Sequence, residues 1–271
     1  MLWVLQTGLE RGYGRLVVAL DRVGCDYLFV KAVPFTGRLL PGDFDSPTSV
    51  DPNDVPEPVI DTNRPILTMG SYGLAKIAKA RGWSPGAFLD HTDYESWSTG
   101  WGSDRMLNPN AWVGCLRDAR VKGTAFIRPL TDSKSFSGTV FDEAEFATWQ
   151  ASVRDLEAEL SPVHGGTMVL VAAPRAIYTE TRFFVIDGKI VTGSLYKIGG
   201  RVAFNEDVDP GAEAFARECI ASWTPSRAFV VDVALTSDGY RVVEVNCINA
   251  AGFYASDLQR LVAAFEDAFP D

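Results

Sequence analysis

Cysteine and histidine are scarce. The 271-residue chain has four cysteines and two histidines, and no two cysteines form a CxxC pair. A zinc site built from Cys25, Cys115, Cys219 and Cys247 with His91 and His164 is therefore not expected. The default is reduced, mostly buried thiols in a cytoplasmic protein. Long apolar runs are missing, so no membrane-spanning segment is expected. The opening MLWVLQTGLERGYGRL lacks the apolar length and basic flank of a signal peptide. Positive charge is also in short supply. Net charge is −10 and the isoelectric point is near 4.8. This argues against broad nucleic-acid binding and leaves room for a small anion held by a local cluster of bases. There is no low-complexity tract or internal repeat. No Ser/His/Asp or Cys/His constellation suggests a covalent nucleophile.

What is present is a globular composition, 46% hydrophobic and 22% charged. Leu2–Gln6 reads as a strand. Leu16, Val17, Leu20 and Val23 recur at helical spacing before Gly24, and Tyr27–Val33 reads as a second strand. Gly8, Gly12 and Gly14 do not fit a dinucleotide fingerprint. A proline-rich loop at 41–65 precedes a strand ending at Gly70. The helix that follows starts at Ser71, which suits an N-cap or an anion site. Trp83, Trp97, Trp101 and Trp112 fall in a stretch rich in Gly, Ser, Asp and Asn, read as an irregular loop that lines a cleft or packs as a lid. His91 sits there as an ordinary surface histidine. A boundary is expected near 115, giving parts 1–115 and 116–271, the latter divided at about 170. Phe146, Trp149, Val153, Leu156 and Leu160 predict a helix over 142–160. Closing helices are expected at 210–223 and 255–269.

The chemistry concentrates in the second part. Phe229–Tyr254 reads as two strands joined at Ser237-Asp238-Gly239. Side chains alternate along a strand, so Glu244 and Asn246 share a face, and Asp232 on the partner strand can join them. Oxygen ligands so placed suit magnesium. Upstream, Arg128 ends a strand and Lys134 lies in a loop of small residues; both offer charge to phosphate. Glu180 and Arg182 share one face of a strand. Lys197 and Arg201 follow the return strand at Asp187-Gly188.

Lys134-x-Phe136-x-Gly138, Glu180-x-Arg182, and Asp232 with Glu244-x-Asn246 together resemble the ATP-grasp superfamily, and most closely its phage and bacterial clade named for two arginines and a lysine. The resemblance is clear from about Arg117 onward and weaker before it. It implies an ATP-grasp fold of α/β and α+β character, preceded by a β-α-β domain of the pre-ATP-grasp kind. It also implies ATP and magnesium as cofactors, with Arg128, Lys134 and Glu180 on the nucleotide. The adenine would lie along Val169, Val171 and Ala172. Asp232, Glu244 and Asn246 would hold the metal, and Arg182 and Lys197 would serve the reacting groups. The implied reaction joins a small-molecule or peptide carboxylate to an amine through an acylphosphate. A kinase on the same fold and a non-catalytic nucleotide-binding module are the alternatives.

Overall fold

The structure, a computed structural model, describes residues 1–8, 13–33, 36–43, 51, 54–131, 135–156 and 161–270. Lys134, Gly12 and Leu160 lie outside the described residues. The chain opens with β1 (Leu2–Gln6), α1 (Tyr13–Val23) and β2 (Asp26–Ala32), followed by β3 (Leu39–Pro41), β4 (Ile66–Met69), α2 (Tyr72–Ala80) and β5 (Pro85–Gly86). These strands form one sheet in the order β3-β2-β1-β4-β5. β1 runs parallel to both β2 and β4, so the expected β-α-β opening is present. Ser71 is the N-cap of α2, accepting from the Leu74 amide at 3.3 Å and donating to Gln6 Oε1 at 2.7 Å.

The tryptophan-rich stretch differs from the loop expected of it. Tyr94–Trp101 is a helix, α3, capped by Asp93, whose Oδ1 accepts from the Ser96 amide at 2.8 Å. Tyr94, Trp97 and Trp101 are buried on it. Their spacing of three and four is helical; the polar residues between them form its solvent face. The chain beyond it joins another element: Met106 bridges to Val242, and the Leu107 amide donates to the Val242 carbonyl.

A second sheet has the order β6-β9-β7-β8, built from β6 (Trp112–Cys115), β7 (Thr124–Pro129), β8 (Thr139–Asp142) and β9 (Met168–Ala172). β6 lies before residue 116 in sequence yet pairs with β9. α4 (Glu143–Val153) packs on this sheet through Phe146. It begins with a capping box between Asp142 and Glu145 but stops at Val153, short of the helix expected to 160, and Leu156 is exposed.

The largest strands make the third sheet, β12-β11-β10-β13-β14, from β10 (Ile177–Ile186), β11 (Lys189–Ile198), β12 (Arg201–Asn205), β13 (Ala228–Thr236) and β14 (Gly239–Asn246). Its pairs are antiparallel. Asp187 and Gly188, at φ 47° and 72°, form the tight left-handed turn between β10 and β11. Phe183 and Val185 face α5 (Pro210–Ser222) and α3 in one core, with Val231 and Trp97. Phe184, Ile186 and Val230 face the other way. There they share a second core with Trp3, Leu5, Leu16 and Leu20, and with Leu261 and Phe265 of α6 (Leu258–Ala268). The first sheet and the C-terminal helix are thus one packed body with this face of the third sheet.

Asn249 ties the two ends of the chain together. Its Oδ1 accepts from the Phe88 amide at 2.8 Å, and its Nδ2 donates to the carbonyls of Thr68 at 2.7 Å and Gly86 at 3.3 Å. Replacing Asn249 by Ala leaves these buried groups without partners. It is expected to cost about 3 kcal/mol in a urea unfolding experiment; a loss below about 0.5 kcal/mol would show the amide to be dispensable.

Candidate active site

A cleft of about 390 Å³ separates the second and third sheets. One wall is β7 and β8, where Phe126, Arg128 and Val140 point inward. The other is the third sheet and its approach, with Glu180, Tyr196, Lys197, Glu244 and the segment Pro174–Ile177. Period-two alternation explains the first wall. Ala125, Ile127 and Pro129 are buried, so Phe126 and Arg128 take the opposite face. Gly138 is needed there: a Cβ would sit 2.6 Å from the Phe126 ring. The Arg128 guanidinium lies 5.6 Å from the Trp97 ring centroid and 3.6 Å from Glu244 Oε2. The cationic and acidic residues expected to meet across a crevice therefore do so, with Lys134 outside the described residues.

Beside the cleft is a buried ion pair. Arg182, 6% exposed, donates through Nε and Nη2 to the two oxygens of Asp232, both at 2.8 Å, and through Nη1 to the Gly252 carbonyl at 3.2 Å. Asp232 lies opposite Arg182 on one side and opposite Glu244 on the other. Glu244 Oε1 is 4.0 Å from Arg182 Nη2 and accepts from Asn246 Nδ2 at 2.9 Å. Burial raises the Asp232 carboxyl to about 6; Arg182 opposes the shift, and Glu244 and Glu180 add to it. At neutral pH the pair is ionic. Burial disfavours the charge on Arg182, but Asp232 and the rings of Tyr254 and Tyr196 hold its pKa above the ordinary value.

Tyr196 joins the two halves of this constellation. Its hydroxyl lies 2.6 Å from Glu180 Oε2, to which it donates, and 3.3 Å from Asp232 Oδ2. Burial first, then the neighbouring carboxylates, push the phenol well above its usual range, so it keeps its proton. Lys197 Nζ takes the other oxygen of Glu180 at 2.8 Å. A bulge between Glu180 and Thr181 lets Lys197 pair opposite Glu180, with Tyr196 fitted in alongside.

Several expected residues hold other positions. Val169 and Val171 belong to the core with Leu116, Ile127 and Phe146, and do not line the cleft. Ala172 packs against the core that holds Leu170. The apolar lining on that side comes from Pro174 and Ile177. His91 is exposed, 6.0 Å from the Trp223 ring, and Arg201 is exposed on β12. Sequence reading missed Tyr196, Asn108 and Arg175, which line the cleft, and Tyr254, whose ring centroid is 4.8 Å from the Arg182 guanidinium. Tyr196 had one signal, its place directly before Lys197; Asn108 had none, because α3 and β14 bring it in.

The donor set can be weighed against a divalent cation. Among the described residues, no group of three or more His, Cys, Asp or Glu is arranged to hold one. Glu244 is partly exposed and, with the Asn246 amide oxygen, offers the hard oxygens that magnesium takes. Asp232 gives both oxygens to Arg182, and would join them only by releasing one of those bonds.

Removing Arg182 alone strands a buried carboxylate. Arg182→Met is expected to cost about 3–5 kcal/mol, while the double change with Asp232→Leu recovers more than half of it. Chemical unfolding of the three proteins checks this; equal losses in single and double variants would mean the pair is not energetically coupled.

Solved structures resemble the chain over nearly its whole length. D-cycloserine synthetase DcsG aligns with a TM-score of 0.63 at 14% identity, covering 98% of this chain and 99% of that one. The RimK domain ATP-grasp protein from Sphaerobacter thermophilus gives 0.57 at 16% identity, covering 99% and 96%. The D-alanine–D-alanine ligase from Bacillus anthracis in complex with ATP gives 0.57 at 12%, covering 98% and 96%. At these identities the likeness is one of fold. No curated protein matches the sequence. The model of an ATP-grasp domain family, the third of its clade, matches residues 77–265, and the chain belongs to that ATP-grasp family.

Proposed function

We propose that this chain is an ATP- and magnesium-dependent carboxylate–amine ligase that works through an acylphosphate. The observation that carries this reading is the cleft itself: Arg128 and Lys197 face it together with Glu180 and Glu244. A triphosphate placed there would have cations against its oxygens and, at one end, carboxylates to hold its counter-ion. Arg128 and Lys197 bind phosphate oxygens in this scheme, joined by Lys134. Glu180, held by Lys197 and Tyr196, orients the nucleotide. The base lies toward Pro174 and Ile177 instead of the side chains of Val169 and Val171.

Glu244 and Asn246 would hold magnesium, with Asp232 as the further ligand; the ion would spread the charge that builds on the transferred phosphoryl group. The substrate carboxylate attacks the terminal phosphorus of ATP, and the bond to the bridging oxygen breaks to release ADP. The amine then attacks the acyl carbon, phosphate departs, and the nitrogen loses a proton. Arg182 stabilises the negative charge on the acylphosphate and on the tetrahedral species that follows. No protein nucleophile is needed. In this reading residues 1–115 chiefly select the substrates and 116–271 chiefly hold the nucleotide. The chemistry is consistent with D-cycloserine synthetase and D-alanine–D-alanine ligase, ligases of the same fold.

Incubation with ATP, magnesium, and pools of carboxylates and amines is expected to release ADP and give an amide detectable by mass spectrometry. A phosphorylated acceptor without amide would instead assign a kinase. Lys197→Ala should raise the KM for ATP roughly 10- to 100-fold, the worth of a charge-assisted hydrogen bond. Glu244→Ala should lower kcat about 100-fold or more. Unchanged turnover in both variants would remove the cleft from the mechanism.

A further inference from the structure

The active-site face of the third sheet carries a row of side chains that runs out to its edge. Tyr196 lines the cleft and stacks on Tyr254, with ring centroids 4.8 Å apart and planes at 15°. Tyr254 stacks in turn on Phe204 of the edge strand β12, at 5.2 Å and 26°. Phe204 is 58% exposed, and Val202, two residues away and so on the same face, is 72% exposed. Isolated exposed apolar residues need no explanation. These two continue an aromatic column that begins in the cleft and carries the Arg182 guanidinium against its two inner rings, 5.6 Å from Tyr196 and 4.8 Å from Tyr254.

The column is held in place at a conformational cost. Tyr254 has φ of 49°, a left-handed backbone that a bulky residue rarely adopts. Three bonds impose it. Arg15 donates to the carbonyl of Tyr254 and, at 2.8 Å, to that of Ser256, while the Ala255 amide donates to Ser194 Oγ at 3.1 Å. The result is a ring wedged between a buried cation and an exposed phenyl face. A cation that attracts a carboxylate, next to an aromatic surface open to solvent, is the recognition pattern for a carboxylate carrying an aromatic side chain.

We propose that Phe204 and Val202 form a subsite for the aromatic side chain of the carboxylate substrate. The acid end of that substrate is directed along Tyr254 toward Arg182. The proposal rests on the ligase reading and narrows its substrate class. The side chain lies on the open face of Phe204, within reach of the 5.2 Å and 4.8 Å steps that lead through Tyr254 to the guanidinium.

Calorimetric titration of the full chain with N-acetylphenylalanine, N-acetylalanine and N-acetylphenylalaninamide tests this. The aromatic acid is expected to bind about tenfold tighter than the alanine acid, the worth of one aromatic contact. The amide, which lacks the carboxylate, should bind more weakly than the aromatic acid. Phe204→Ala, a change at an exposed position, should abolish the preference for the aromatic side chain, and Phe204→Trp should retain it. Equal or undetectable binding of the two acids, or a preference that survives in Phe204→Ala, overturns the proposal. So does competition between the aromatic acid and a non-hydrolysable ATP analogue, which would put the base on Phe204. Titrating that analogue by itself separates the two claims: if it fails to bind, the ligase reading falls, while the acid titrations still decide the subsite.

Discussion

The bidentate pair between Arg182 and Asp232 is the constraint around which the site is arranged. Each charge is withdrawn from water at a cost of several kcal/mol, and only close geometry and full hydrogen bonding offset that. Both Asp232 oxygens meet guanidinium nitrogens at 2.8 Å, and the third direction of the guanidinium goes to the Gly252 carbonyl. The demand then spreads outward. Asp232 lies near the Tyr196 hydroxyl, which donates to Glu180, and Glu180 is held by Lys197. A chain of polar contacts thus crosses the sheet from a fully buried centre to the wall of the cleft. Such a network holds each member in one orientation because none can turn without leaving a buried group unsatisfied.

Two features of the packing allow so much charge to sit together. The opposite face of the same strands is wholly apolar, with Phe183, Val185, Phe229 and Val231 buried against α3 and α5. On the charged side, Phe184 and Val230 lie a pleat away from Arg182 and Asp232 and lock the sheet to the N-terminal strands and α6. Asn249 reinforces that junction with bonds to Phe88, Thr68 and Gly86. The N-terminal sheet therefore serves as a fixed support for the loop at 250–256, from which Gly252 and Tyr254 reach Arg182.

Much of this was legible from local pattern. Alternation put Glu180 with Arg182 and Glu244 with Asn246, because a strand has a period of two whatever surrounds it. Turn chemistry at Asp187-Gly188 and Ser237-Asp238-Gly239 placed the hairpins, and the spacing of Leu16 and Leu20 placed α1. Less legible were features where neighbours override composition. The polar residues between Trp97 and Trp101 concealed a helix whose burial is tertiary. Val169 and Val171 have the apolar character of a base-binding strand, but α4 and Leu116 claim that character for a core. The family resemblance supplied the metal set of Asp232, Glu244 and Asn246, and could not anticipate that Asp232 would be engaged by Arg182.

By itself the sequence determined the elements, the faces of the strands, and the separation of basic residues in the middle of the chain from oxygen ligands near its end. All of these depend on residues within a few positions of one another. Only the tertiary structure decided that Tyr196 joins Glu180 to Asp232, that Asn108 enters the cleft, and that Tyr254 covers Arg182 and meets Phe204. Those contacts link residues from 16 to 72 positions apart or bring together elements with no common periodicity. Their existence depends on a bulge in β11, a left-handed residue at 254 and the stacking of whole sheets, which no local pattern encodes.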